Sequence, residues 1–168
     1  MAEIITDFKD IISRLEDDAE YYGEYGSQFL HNSDIYKLLN NPADYDQPQE
    51  DTLPMLIGRT FHEMILFNNL TQPYIDASTR STKIYKNELS EYDQDIVLLK
   101  KEYDQVADLR EKTMFHPLMV DVLGDPKIKK EIPNVGYLTD NNILWACKAD
   151  ILTEDYVYDI KTTSSLSG

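Results

Sequence analysis

The sequence is poor in cysteine, in basic residues and in long apolar runs. Its single cysteine, Cys147, excludes an internal disulfide framework. No apolar run approaches the ~18 residues that a membrane-spanning helix needs. The start, MAEIITDFKDIISRLEDD, is acidic and amphipathic and lacks the basic-then-apolar order of a secretory signal. We therefore expect one soluble domain in a reducing cytoplasm, with Cys147 as a small buried hydrophobic residue rather than a nucleophile.

The shortage of basic residues argues against a nucleic-acid partner. Lys and Arg number 16 against 31 Asp and Glu, which gives a net charge of -15 and a pI near 4.4. A polyanion of this kind repels DNA phosphates. Two stretches are nevertheless locally basic, STRSTKIYK around Arg80 and Lys83, and KIKK at residues 127–130. Each of these charges taken alone is typical of a solvated surface, but local patches can bind DNA on an acidic protein.

Hydrophobic spacing predicts a mixture of helices and strands. The predicted helices are residues 4–22, 31–41, 53–68 and 90–117. The third of these is strongly apolar, begins with Pro54 in its first turn and is expected to be largely buried. Residues 69–87 are predicted to be irregular. From residue 129 onward, alternation of apolar and polar side chains predicts antiparallel strands joined by polar turns.

The stretch CKADILTEDYVYDIKTT has carboxylates on a strand that would ordinarily be half buried. A two-residue loop at Glu154-Asp155 would set Asp150 directly opposite Asp159, and Lys148 opposite Lys161. Like charges about 5 Å apart repel unless a cation lies between them. This pairing predicts a metal ion between the two carboxylates. The core would then lie on the other face, which carries Ile143, Trp145, Cys147, Ala149 and Ile151.

Glu131 extends the acidic set if the Asp-Asn-Asn turn before β-strand residues 143–152 has an even length, because Glu131 then shares a face with Asp150. A bulge at Pro133 or Gly136 would change this register. Carboxylate oxygens suit Mg²⁺ or Mn²⁺ rather than zinc. A metal held in this way, with a lysine beside it, suits phosphodiester hydrolysis.

His62 follows Gly58 by one turn in the apolar helix. Two interpretations stay open. His62 is either a core histidine bonded to a neighbour, or a metal ligand that reaches the sheet because Gly58 lets the helix approach closely.

The ordered motifs IGRTFHEMIL, Glu131, KADIL and VYDIKTT resemble the PD-(D/E)XK nucleases, specifically the phage-type, RecE-like (exonuclease VIII) exonucleases. The likeness runs from about Gln28 onward. It implies an α/β (α+β) fold with a central mixed or antiparallel sheet, flanking helices and a restriction-endonuclease-like core. It implies a single domain over residues 1–168, with a helical extension at 1–27 and the core at 28–168. Since the chain ends seven residues after Lys161, we expect the C-terminal part of that core to be missing.

The same resemblance assigns roles to individual residues. It implies metal ligands at His62, Asp150 and Asp159, and catalytic groups at Glu131, Asp150, Asp159 and Lys161. DNA contacts are expected at Arg59, Arg80, Lys83 and Lys148. The implied cofactor is Mg²⁺ or Mn²⁺, and the implied partner is linear DNA, with a recombination protein or a homo-oligomer as further candidates and no membrane.

Two classes of function follow. In the first, the chain is a metal-dependent exonuclease of linear duplex DNA in phage-type recombination or repair, in the cytoplasm of a bacterial or phage-infected host cell. In the second, it is a non-catalytic acidic interaction module or DNA mimic that keeps a nuclease fold. The carboxylate and lysine set favours the first, because charges that repel are costly to keep together without a use. The charge of -15 favours the second.

Overall fold

A computed structural model describes residues 7–45, 47, 51–138 and 143–163. In this part of the chain the protein is mixed α+β. The helices are α1 Lys9–Leu15, α2 Asp18–Tyr21, α3 Asn32–Asn40, α4 Leu53–Leu66, α5 Lys83–Leu89, α6 Lys100–Met114 and α7 Pro117–Gly124. The strands are β1 Tyr74–Ile75, β2 Leu98–Leu99, β3 Lys129–Leu138, β4 Ile143–Leu152 and β5 Val157–Tyr158. None of the described helices has both the length and the apolar character needed to cross a bilayer.

The chain divides into two compact units. The first unit comprises Met1–Pro48 and Lys127–Asp159, and the second comprises Gln49–Pro126 and Ile160–Gly168. Whether residues 1–168 form the single predicted domain stays a prediction.

The sheet of the first unit is antiparallel, with strand order β3-β4-β5. β5 pairs with β4 through Ile151–Tyr158 and Leu152–Val157. At the turn, the Thr153 amide donates a hydrogen bond of 2.9 Å to the Tyr156 carbonyl. The loop therefore has two residues, and the predicted register of this hairpin is confirmed for the pairs that form.

The core of the first unit lies on the face of β4 that the sequence predicted to be polar. Ala146 is fully buried there, and it packs with Val135 of β3 and with side chains from the N-terminal helices, namely Leu15, Tyr21 and Phe29. Cys147, on the opposite face, is exposed, and Ile143 is 40% exposed. The predicted core face is thus wrong for Ile143 and Cys147, and so is the interpretation of Cys147 as buried, whereas Trp145 is half buried. Ile151 on that face is buried as expected.

Residues outside the strand determine which face of β4 is buried. α1 and α2 bring apolar side chains to the even-numbered face of β4, and the ring of Phe8 meets that of Tyr137 edge-on at 5.7 Å. Leu30 adds a short parallel bridge to β4, since its amide donates to the Leu144 carbonyl at 3.0 Å and its carbonyl accepts from the Ala146 amide at 2.8 Å. Alternation within a strand identifies two faces but does not say which one the rest of the chain covers.

α4 dominates the second unit and is buried as predicted. Its buried side chains are Leu56, Thr60, Phe61, Met64, Ile65 and Leu66, and α4 packs against α6. β1 and β2 form a small parallel sheet, with Tyr74 opposite Leu98 and Ile75 opposite Leu99.

The helix predicted from Ser90 begins ten residues later than expected, at Lys100. The preceding apolar residues, Val97 to Leu99, are all buried, and two of them form β2. The start of α6 is fixed by Glu102, whose carboxylate accepts a hydrogen bond of 2.9 Å from the Leu99 amide. The buried strand β2 is followed at once by the capped helix α6, and together they have the apolar content of one longer helix. Periodicity alone therefore predicted a single helix where the structure has a strand and a helix.

Two short helices were not predicted. α5 lies in the stretch expected to be irregular, and the Thr82 hydroxyl caps it by accepting from the Tyr85 amide at 3.2 Å. α7 begins at Pro117, in the position where a missing N–H costs nothing.

Candidate functional site

Glu131 and Asp150 lie opposite each other on one face of the sheet in the first unit. The flanking pairs, Lys130–Ile151 and Ile132–Ala149, keep the same register on both sides of them. A carboxylate oxygen of Glu131 lies within 4.8 Å of one of Asp150, as the prediction of a shared face requires, and Pro133 and Gly136 keep regular partners without a bulge. The turn at residues 139–142, whose even length the prediction assumed, lies outside the described residues.

The backbone is distorted at Glu131. Its φ is 53°, in the left-handed region, and the ladder between β3 and β4 skips the rung that Glu131 and Asp150 would form. A residue with a Cβ held in this region costs of order 1 kcal/mol. Such strain occurs most often where a side chain must point in a particular direction for function. The distorted residue, Glu131, is one of the carboxylates that the sequence predicts for the active site.

Lys148 precedes Asp150 by two residues in β4 and therefore lies on the same face. Its side chain is only 6% exposed, and its ammonium contacts the Asp18 carboxylate at the start of α2 and lies 3.4 Å from Glu131 Oε2. The ammonium also lies over the rings of Tyr21, at 4.7 Å, and Tyr22, at 5.3 Å. A nearly buried cation is thus held by two carboxylates and two aromatic faces.

These contacts change the titration of the groups involved. Burial by itself lowers the pKa of Lys148, but the hydrogen bond with Asp18 and the negative charges of Asp18 and Glu131 outweigh it, and the net shift is upward. Burial also raises the pKa of the Tyr21 hydroxyl, and the nearby Glu131 charge adds to the rise. Lys148 is therefore charged, and Tyr21 neutral, over the whole physiological range.

Asp159 and Lys161 follow β5 and are both exposed. Continuing the β4-β5 register would set Asp159 opposite Asp150, but the last pair of the ladder is Ile151–Tyr158. The ladder also ends before Lys161, which the second unit contains. Their predicted roles as metal ligand and catalytic lysine stay predictions.

His62 lies on α4 in the second unit and is half buried. A Cβ added at Gly58, one turn earlier, would lie 3.5 Å from the Thr162 hydroxyl oxygen, which is an ordinary van der Waals distance. Glycine is therefore not required there for close approach. The assignment of His62 as a metal ligand stays a prediction.

Three of the four predicted DNA-binding cations, Arg59, Arg80 and Lys148, are already paired with carboxylates. Arg59 Nη2 lies 2.6 Å from Asp51 Oδ2. Arg80 forms a two-pronged pair with Glu102, at 2.9 and 2.5 Å. Lys83, at the first position of α5, is exposed. Lys148 has the contacts described above, and the DNA-binding role of all four residues stays a prediction.

Sequence reasoning missed the three residues that surround Lys148 from the N-terminal side, Asp18, Tyr21 and Tyr22. Asp18 is 130 positions away from Lys148 in the chain. The only signal available was the DAEYY segment itself, since an acidic residue followed by two tyrosines is the composition that holds a cation against aromatic rings.

Comparison of the chain with family models, with curated proteins and with solved structures gave no match. The candidate site therefore rests on its own residues: two carboxylates opposite each other on neighbouring strands, a distorted backbone at one of them, and a buried lysine beside them.

Proposed function

We propose that the chain is a metal-dependent DNA nuclease of the PD-(D/E)XK type, acting as an exonuclease on linear duplex DNA in phage-type recombination or repair. The observation that carries the proposal is the pairing of β3 with β4, where a carboxylate oxygen of Glu131 lies within 4.8 Å of one of Asp150. The motif order of the sequence supports it, because the same two positions are the ones that the family resemblance selects.

The donor set fits Mg²⁺ or Mn²⁺. Both side chains offer carboxylate oxygens, which these cations prefer, and both are half buried, with the Lys148 ammonium 3.4 Å from Glu131 offsetting part of their negative charge. In the proposed enzyme Glu131 and Asp150 hold the cation, with Asp159 and His62 as the further ligands that the resemblance implies. When bound, the cation would lower the pKa of a water and neutralise charge on the phosphodiester.

Lys161 has a different role in this proposal. Its ammonium orients the attacking water and approaches the scissile phosphate, so it contributes to the rate rather than to metal affinity. The exposed position of Lys161 leaves it accessible to a substrate.

The acidic interaction module is a second candidate, and a specific observation favours it. Arg59 and Arg80, which a DNA-binding protein would present to phosphates, are each neutralised by a carboxylate. Together with the charge of -15, this pairing is the behaviour expected of a surface that does not bind DNA.

Timed digestion of end-labelled linear duplex in Mn²⁺ separates the two candidates, with calorimetric Mn²⁺ titration beside it. Asp159→Asn should abolish metal binding and cleavage together, because an amide replaces a charged oxygen ligand. Lys161→Ala should keep its metal affinity, or gain slightly through lost repulsion, while cleavage falls by orders of magnitude. Lys9→Ala, which removes a charge from a side chain 89% exposed on α1, is the control and should cleave normally.

Cleavage that persists in both Asp159→Asn and Lys161→Ala would show that other residues of the chain catalyse the hydrolysis. Metal binding without any cleavage by the unaltered protein would favour the interaction module.

A further inference from the structure

The two carboxylates that hold Lys148 differ sharply in their exposure. The Glu131 side chain is 19% exposed and shares the sheet face with Lys148, whereas the Asp18 side chain is 73% exposed. The ammonium between them is itself almost buried, at 6%. Asp18 therefore approaches the cation from the solvent side and remains largely hydrated.

Of the two carboxylates that neutralise Lys148, Glu131 is the less accessible to solvent, and Asp18 is the one that another anion could replace. The Glu131 side chain is only 19% exposed, so it offers its charge from the sheet side, where an anion from solution has little access. Asp18 can release the ammonium by rotating its side chain, because α2 is held by other contacts: Tyr21 is buried in the core, and the Asp17 side chain caps the helix by accepting from the Ala19 amide at 2.9 Å.

We propose that the Asp18 carboxylate occupies an anion-binding position on Lys148 that a DNA phosphate takes when Asp18 rotates away. The substrate class in this inference rests on the proposed nuclease function. A lysine ammonium is a compact cation with three donors, and it binds phosphate as readily as carboxylate. The Asp18 carboxylate thus competes with DNA phosphate for the Lys148 ammonium. Only DNA that binds strongly enough to displace Asp18 gains this contact.

The position is built for one anion at a time. The Tyr21 and Tyr22 rings flank the ammonium at 4.7 and 5.3 Å, and Glu131 Oε2 lies 3.4 Å away. Removing the Asp18 charge leaves the solvent-facing side of a buried cation without its carboxylate. A cation in that state attracts an anion from solution more strongly than a fully hydrated lysine does.

The test is the binding of a short fluorescein-labelled linear duplex, followed by anisotropy across a range of NaCl concentrations in EDTA. Asp18→Asn should bind about fivefold more tightly at low salt than the unaltered protein, which is the scale of the interaction of two unit charges about 4 Å apart in water. The gain should shrink as the salt concentration rises, because salt screens the competing Asp18–Lys148 pair in the unaltered protein, so the slope of log K against log salt should be steeper in Asp18→Asn.

Asp10→Asn is the matched control. Asp10 lies in the first turn of α1 and is exposed, so the substitution makes the same change in net charge away from Lys148. It should leave the slope unchanged. Asp18→Asn in a Lys148→Met background should give no gain over Lys148→Met alone, because the anion position is then absent.

The proposal is overturned if Asp18→Asn and Asp10→Asn give the same slope and affinity, including the case in which neither binds DNA. It is also overturned if the gain from Asp18→Asn persists with Lys148→Met. Because the assay contains no divalent cation, its outcome is separate from that of the nuclease test: a protein without cleavage activity can still show the exchange, and an active one can lack it.

Discussion

Truncating Leu15 to alanine tests whether the N-terminal helices cover the even-numbered face of β4. Leu15 ends α1 and is 0% exposed. It belongs to the core cluster of the first unit with Tyr21, Phe29, Val135 and Ala146. Replacing a fully buried leucine removes its transfer free energy and leaves a cavity, which together cost about 3 kcal/mol within a usual range of roughly 2–5.

The assay is urea unfolding followed by the fluorescence of Trp145, the one tryptophan of the chain, which lies in β4. For a protein of this size, a loss of about 3 kcal/mol also lowers the Tm by roughly 6–12 °C. Leu39→Ala is the control, since Leu39 lies on α3 with 79% of its surface exposed, and it should change the free energy of unfolding by no more than about 0.5 kcal/mol. Equal effects of the two substitutions would refute the packing of α1 on this face.

Two further predictions concern the second unit. The buried Tyr85 hydroxyl accepts a hydrogen bond from the Val97 amide at 2.9 Å and donates one to the Val97 carbonyl at 2.8 Å. Tyr85→Phe leaves both Val97 groups unpaired, so it should lower the free energy of unfolding in urea by about 2 kcal/mol. An unchanged urea midpoint would contradict this. Burial alone would raise the pKa of Glu102, but the hydrogen bond from Arg80 and the bond from the Leu99 amide lower it below its ordinary value of 4.5. Its contribution to stability is therefore present above the unfolded pKa and is lost as the pH falls through the folded one. Urea midpoints measured from roughly pH 7 to 3 should fall less steeply in Glu102→Gln than in the unaltered protein, and parallel curves would show that Glu102 does not couple to folding.

The sequence was sufficient where local rules act without competition. The register of β4 with β5 follows from two short alternating runs and a polar turn, and that of β3 with β4 from the same parity argument. α4 could be predicted for a similar reason, since a long apolar period with Pro54 at its start has few alternative structures.

The remaining features depend on contacts between distant parts of the chain. The choice of buried face on β4 depends on α1 and α2, more than a hundred positions earlier in the sequence. The start of α6 depends on the pairing of β2 with β1, which turns an apolar stretch of helical spacing into a strand.

Only part of the candidate site could be predicted from the sequence. Glu131 and Asp150 were found from strand parity because both belong to adjacent strands. The positive φ of Glu131 has no signal in the residue type, since glutamate rarely adopts it. The burial of Lys148 could not be predicted either, because its partner Asp18 belongs to a helix that the strand pattern does not report.

Divalent-cation binding at Glu131 and Asp150 is the property on which the proposed nuclease depends. Calorimetric Mn²⁺ titration of the unaltered protein, of Asp150→Asn and of Asp155→Asn tests it most directly. Asp155 lies in the exposed loop between β4 and β5, so its substitution makes the same chemical change outside the site. We expect the unaltered protein and Asp155→Asn to bind Mn²⁺ equally, and Asp150→Asn to lose most of its affinity because a neutral amide oxygen binds a divalent cation more weakly than a carboxylate does. Absence of Mn²⁺ binding in the unaltered protein, or equal binding by Asp150→Asn, would contradict a metal site at this pair.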